Sequence, residues 1–173
     1  QNAEDPFIQF IDDIDLVDAT NWPALRGPHN RQNAAAAWAV SSDLGLFKGQ
    51  IDHGLETYPG LPHRMEQVAE ISGVVYVNDS KGTNTAASAP ALAAFENIHR
   101  IVGGLAKEPG LGECEAELPH VKAAYTIGKG GPAFADLLEG RVPVTRSETL
   151  DRAVRDAAAA AQAGDTILLS PAC

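Results

Sequence analysis

The chain has 173 residues, 45% of them hydrophobic, and a formal net charge of −10. This is enough for a full core, arranged as one large domain or as one domain with a piece of another. The acidic balance, without any cluster of Lys and Arg, argues against a nucleic-acid or anionic-membrane surface, and no apolar run approaches the ~20 residues of a transmembrane helix.

No secretory signal is visible, and the two cysteines, Cys114 and Cys173, lie far apart with no metal-ligand spacing. They read as reduced thiols, and the expected location is the cytoplasm. The sequence starts at Gln1 without a methionine and stops at Cys173, directly after an apolar strand and a turn. That pattern suggests a piece cut at both ends.

Taken in order, Phe7 to Ile11 and Ile14 to Val17 are candidate strands. Gly27-Pro28 punctuates, and His29-Asn30 opens a predicted helix that runs to a stop at Gly45, with Ala34, Ala37, Trp38 and Ser41 at helical spacing. Asn30 and Asn33 stand one turn apart on it, and Asn30 doubles as a cap candidate. A short helix over Gln50 to Glu56 follows. Thr57-Tyr58-Pro59-Gly60 then breaks the pattern, which places a domain boundary between residues 57 and 58.

Beyond it comes a tight turn, GLPHR, and then a predicted amphipathic helix from Met65 to Ile71 through Met65, Val68 and Ala69. Strands are predicted at Val74–Val77, His99–Val102, Ala123–Ile127, Val142–Thr145 and Thr166–Leu169. Helices are predicted at Thr85–Phe95, Pro132–Leu138 and Leu150–Ala163, the last with Gly164 just past its end. The stretch Ala106 to Pro119 lacks periodicity and reads as a loop with one short helix. Short, continuous Val/Ile/Leu strands alternating with helices predict an α/β fold, a Rossmann-like and mostly parallel sheet flanked by helices.

Chemistry concentrates in the loop Asn78-Asp79-Ser80-Lys81-Gly82-Thr83-Asn84, between a strand end and a helix start. Ligands of open α/β sheets bind at that edge, where helix N-termini offer free N–H groups to anions. The plainer reading is a solvated turn with Thr83 or Asn84 as N-cap. Arg64 offers a fork of donors to phosphate, and Asp79 an acceptor for ribose hydroxyls; alternatively the two form a local salt bridge. His63 reads either as a ligand or as a packed turn residue. Gly128-Lys129-Gly130-Gly131-Pro132-Ala133, followed by Glu148, fits a dinucleotide fingerprint or a strand-to-helix turn that needs glycines. There is no GxxxxGK[ST] phosphate loop.

GLPHR, a strand, and then NDSKxTN resemble the Mur ligases, in particular their D-glutamate-adding branch, although Gly82 stands where Ala is usual. The resemblance implies that residues 1–57 are the remnant of a central ATPase domain and 58–173 a C-terminal domain that closes over ATP. Asn30 and Asn33, from GxHNxxN, would lie near the adenine, with Arg64 and Asp79 also on the nucleotide. His63, Lys81, Thr83 and Lys107 would serve the amino-acid substrate, Lys107 from a Gly-rich loop whose neighbouring letters differ from the usual form; a surface lysine is the alternative. The phosphate loop and the Mg²⁺ ligands would lie upstream, so this piece alone is expected to be inactive and to hold no metal.

The implied reaction is ATP-dependent amide ligation of D-glutamate to UDP-MurNAc-L-alanine through an acyl phosphate, by a monomer that binds neither nucleic acid nor membrane. The alternative is a stand-alone Rossmann-like dinucleotide-binding or interaction module.

Overall fold

The computed structural model describes residues 22–105 and 110–173. The strands expected at Phe7–Ile11 and Ile14–Val17, and the candidate ligand Lys107, lie outside the described residues. The chain divides into two compact units, one ending at Gly60 and the other starting at Leu61.

In the first unit α1 (Pro28–Asp43) and α2 (Lys48–Thr57) pack together. Pro28 starts α1 one residue before the expected opening, since its fixed φ suits a first turn and its missing N–H costs nothing there. The N-cap is Gly27, so Asn30 is not the cap. Ala34 and Trp38 join Trp22, Leu25, Ile51 and Leu55 in a small core. Ala35 and Ala39 are buried as well, whereas Ala37, expected inside, is exposed.

The second unit is a six-stranded sheet. Its strands are β1 (Glu66–Ile71), β2 (Val74–Asn78), β3 (Ile98–Gly103), β4 (Val121–Ile127), β5 (Val144–Glu148) and β6 (Thr166–Leu169). Their order is β1-β2-β6-β3-β4-β5; only β1 runs antiparallel to its neighbour. The helices α3 (Thr85–Leu92), α4 (Gly131–Leu138) and α5 (Leu150–Ala160) complete the α/β fold. Alternation along β3 sends Ile98 and Val102 into the clusters with Leu92 and Phe134, and Ile101 into the opposite cluster with Ala153 and Ala157.

The helix expected at Met65–Ile71 is instead β1, the edge strand of a hairpin. Ser72 and Gly73 both have positive φ (54° and 77°) between the paired residues Ile71 and Val74, the geometry of a tight two-residue turn. The register shifts between Gln67 and Ala69, as at a β-bulge. The bulge breaks strict alternation and leaves Glu66 and Ala69, three residues apart, as the half-buried positions. Helix-like spacing in this stretch therefore belongs to an irregular strand.

Two further expectations shift. α5 ends at Ala160, and Gly164 sits beyond it in a turn rather than at the position following the cap. The Asp165 carboxylate accepts from the Gln162 N–H at 2.8 Å, and the Asp165 N–H donates to the Gln162 carbonyl at 2.9 Å, drawing this backbone away from the helix. The loop after β3 carries two short 3₁₀ turns, Gly112–Glu115 and Leu118–His120, where one was expected.

Candidate functional site

β2, β6 and β3 are consecutive in the sheet, and their carboxyl ends carry the loops that start at Asp79, Ser170 and Gly104. The chain leaves β2, passes over the place of β6 to form β3, and returns later to fill the gap. Ligands of open α/β sheets bind outside the carboxyl ends of strands, where the strand order changes in this way.

Asp79 ties this edge together. It is 6% exposed, and its two oxygens have separate partners. Oδ2 accepts from the Ser170 hydroxyl at 2.8 Å, and Oδ1 accepts from the Met65 backbone N–H at 3.2 Å. Its own N–H donates to the Leu169 carbonyl at 2.8 Å. Burial pushes the Asp79 pKa above the usual carboxylate value, against the opposing pull of Ser170, the Met65 N–H and the Arg64 charge. Arg64 is exposed and makes no close ion pair with Asp79, although its charge still acts on that carboxylate.

The turn carrying His63 and Arg64 is held in an unusual backbone shape. His63 and Met65 both have positive φ, 65° and 47°. Strain of this kind in non-glycine residues persists only where surrounding bonds fix it. Here the His63 N–H donates to Glu66 Oε2 at 2.9 Å, the His63 carbonyl accepts from the Lys81 N–H at 3.0 Å, and the Met65 N–H is held by Asp79. The His63 ring also lies 2.9 Å from Asn78 Nδ2. Thus His63, Arg64, Asp79 and Lys81 are drawn together by bonds from the turn to the loop after β2. The Lys81 side chain is exposed and Thr83 is half-buried. Asn84, not Thr83, is the N-cap of α3, accepting from the Ala87 N–H at 2.7 Å.

Gly82 fits a space that holds no side chain. An added Cβ would lie 2.7 Å from Asp79 Oδ2 and 2.9 Å from the hydroxyls of both Ser170 and Ser88. Its carbonyl accepts from the Ala172 N–H at 2.9 Å and the Ser88 hydroxyl at 3.1 Å. The loops after β2 and β6 are therefore one bonded unit. Ser170 and Ser88, both fully buried, were not singled out from sequence. The available signal for Ser170 was its place immediately after a central apolar strand.

In the first unit Asn33 Nδ2 donates to Asn30 Oδ1 at 3.3 Å, and Asn30 Nδ2 donates to the Arg26 carbonyl at 3.0 Å. The two amides are adjacent on α1, and each spends one of its two amide hydrogens in these bonds.

The glycines of the dinucleotide-like stretch have a local explanation. Gly128 (φ 66°) backs onto Gly104, whose Cα would be 3.0 Å from an added Cβ, and the Gly130 N–H donates to the Gly104 carbonyl at 2.7 Å. The loop leaving β3 thus lies against the place where a pyrophosphate would need open backbone. Glu148 closes β5, instead of falling beyond it as expected, and its exposed carboxylate lies 4.0 Å from Arg152.

Among the described residues no group of three or more His, Cys, Asp or Glu side chains could hold a metal ion. These residues do not fit a Mg²⁺ site, so no step is routed through that ion. No described helix is long and apolar enough to cross a membrane.

Residues 63–173 match the family described as "Mur ligase, glutamate ligase domain". The chain is 52% identical to the UDP-N-acetylmuramoylalanine–D-glutamate ligase of Novosphingobium aromaticivorans over 96% of its own length and 38% of that protein. The ligase of the same name from Zymomonas mobilis is 49% identical, over 94% of this chain and 37% of that one. The chain thus spans little more than a third of the length of these relatives. Among solved structures it resembles the UDP-N-acetylmuramate-alanine ligase of Thermotoga maritima, with a TM-score of 0.65 at 18% identity over 85% of this chain and 35% of that one. It also resembles a bifunctional folylpolyglutamate synthase/dihydrofolate synthase of Yersinia pestis, with a TM-score of 0.60 at 23% identity over 84% and 36%.

Proposed function

Because this chain belongs to the Mur ligase family, we propose that it is part of an ATP-dependent amide ligase that adds D-glutamate to UDP-MurNAc-L-alanine in the cytoplasm. The observation that carries the reading is the bonded cluster of Asp79, Ser170, Gly82 and the His63–Arg64 turn at the carboxyl edge of β2 and β6. Its support is the 52% identity to a D-glutamate ligase along nearly all of the chain.

In this reading a carboxylate oxygen of the L-alanyl substrate attacks the γ-phosphorus of ATP. The bond from that phosphorus to the bridging oxygen breaks, and ADP leaves. The D-glutamate amine then attacks the acyl-phosphate carbonyl, the tetrahedral intermediate expels phosphate with its bonding electrons, and the ammonium proton passes to solvent or phosphate. Residues of this chain bind and orient; none forms a covalent bond to substrate. Arg64, exposed and unpaired with Asp79, presents its fork to phosphate oxygens. Asp79, whose oxygens are already engaged, positions Arg64's turn and keeps only its remaining lone pairs for a ribose hydroxyl. On this reading Lys81, Thr83 and Lys107 serve the two carboxylates of D-glutamate, His63 serves the same substrate, and the amides of Asn30 and Asn33 serve the adenine. The segment before residue 58 is then the end of an ATP-binding domain, and ATP is bound with Mg²⁺ ligated by residues other than those described.

The test is turnover by the intact protein, read as ADP and phosphate release that requires UDP-MurNAc-L-alanine, D-glutamate and ATP together. Equal release with L-lysine or diaminopimelate in place of D-glutamate would remove the D-glutamate assignment, and no release with any amino acid would remove the ligase assignment.

A further inference from the structure

The guanidinium of Arg100 lies inside the sheet domain with most of its donors unused. The residue is 1% exposed, in a strand whose other positions are also buried. Nε and Nη1 have no hydrogen-bond partner. Nη2 makes two long contacts, 3.4 Å to Cys114 Sγ and 3.5 Å to the Ser170 carbonyl. Among the described residues no Asp or Glu side chain pairs with it, and its electrostatic partners are Cys114 and Cys173. Burial lowers its pKa and also raises that of the Cys114 thiol, so the sulfur is a poor counter-charge. A guanidinium is nonetheless protonated at any working pH. Replacing such a buried, uncompensated charge by an apolar group is often neutral or stabilising.

The position of this charge gives it a use. Arg100 touches the carbonyl of the residue whose hydroxyl holds Asp79. Cys114, its other neighbour, donates its thiol to the Thr85 carbonyl in the first turn of α3, at 3.3 Å. The guanidinium therefore lies beneath both ends of the bonded unit formed by the loops after β2 and β6, the unit that also carries Lys81 and Thr83. An unneutralised cation in a low-dielectric interior acts over a longer range than one in water.

We propose that Arg100 is a positioning residue for the anionic amino-acid substrate: a buried positive charge that holds the Ser170 loop from below and favours dicarboxylate binding above it. The inference rests on the proposed D-glutamate ligase function. Substrate carboxylates add a counter-charge that the described residues do not supply, so the cost of burying Arg100 is lower in the bound state. Stability and substrate affinity then pull in opposite directions at this residue.

The experiment uses the intact ligase with Arg100→Met, Arg100→Gln and Arg100→Lys. Expected are a melting temperature for Arg100→Met at or above wild type, a KM for D-glutamate raised roughly tenfold, and a KM for ATP changed less than about twofold. Arg100→Lys, which keeps the charge, should recover most of the D-glutamate affinity, and Arg100→Gln should not. If Arg100→Met does not fold, the Lys and Gln pair carries the same comparison. Equal D-glutamate KM in Lys, Gln and wild type overturns the proposal, and so does a loss of stability with kcat lowered and both KM values unchanged, the pattern of a purely structural residue. A wild-type enzyme that turns over no D-glutamate fails earlier, and removes the ligase reading together with this inference.

Discussion

Ser170 donates its hydroxyl to Oδ2 of Asp79 at 2.8 Å, joining the ends of β6 and β2 across 91 positions of sequence. Both side chains are buried, so the bond forms where water cannot replace it. Ser170→Ala should cost about 1–2 kcal/mol, the price of leaving one buried acceptor short of a donor, and denaturant unfolding of the intact protein measures it.

The same carboxylate sets a pH dependence. Its pKa is raised in the fold, chiefly by burial, so the folded state holds the proton more tightly than the unfolded chain. The unfolded state therefore binds fewer protons in the window between the ordinary Asp value and the raised one, and stability from this group falls as pH rises through that window. Above the window the loss is complete and constant. Thermal melts of wild type and Asp79→Asn across the acidic range should show this slope in the wild type and its absence in the variant. Parallel curves would refute the assignment.

Two glycines should respond differently to a methyl group. At Gly103 (φ 121°) an added Cβ would lie 2.2 Å from the Ile127 carbonyl oxygen, which is backbone and cannot move aside. At Gly82 the contacts are ends of side chains, at 2.7 and 2.9 Å. Gly103→Ala should cost about 3 kcal/mol or more, and Gly82→Ala about 1 kcal/mol with a weakened Asp79–Ser170 bond. The Gly82 variant should also raise the KM for D-glutamate, since the loop bearing Lys81 and Thr83 must shift. Denaturant unfolding and steady-state kinetics provide the comparison.

Arg64 should matter to turnover and little to folding. It is exposed and unpaired with Asp79, so Arg64→Ala should change stability by less than about 1 kcal/mol. If Arg64 has the proposed role on the transferring phosphoryl group, Arg64→Ala should lower kcat by about 10²-fold, with incomplete recovery in Arg64→Lys because an ammonium lacks the fork. Unchanged kcat would exclude Arg64 from the reaction.

For the amino-acid side, Lys81→Ala and Thr83→Ala should each raise the KM for D-glutamate well above any change in that for ATP. Either variant with normal D-glutamate kinetics would remove that residue from the site.

How much of this was legible beforehand follows from the range of the forces involved. The parallel strands were legible as short stretches rich in Val, Ile and Leu, and Thr166–Leu169 has the expected bounds. The DSKGTN loop was legible because a strand end followed by a capped helix is a local pattern. β1 was misread because its bulge imitates helical spacing, and the deciding feature, positive φ at Ser72 and Gly73, is a matter of backbone shape. Arg100 could not be weighed from its neighbours in sequence, and for Ser170 the local signal was only its place after an apolar strand. Their importance comes from Asp79 and Cys114, which only the folded sheet brings near.

The placement of β6 between β2 and β3 has a kinetic meaning as well. During synthesis β2 and β3 emerge long before residues 166–169, and the hydrogen-bonding edges they will present to β6 stay open in the meantime. Pairings so distant in sequence pay their loop-closure entropy before any contact rewards it, so the insertion of β6 is a natural late step in folding. Until then Asp79 has no Ser170 to meet, and the open edges are the part of the nascent domain most exposed to wrong partners. A nascent chain held before Thr166 has left the ribosome should therefore be one that chaperones bind and proteases cut, and one held after residues 166–169 have emerged should resist both.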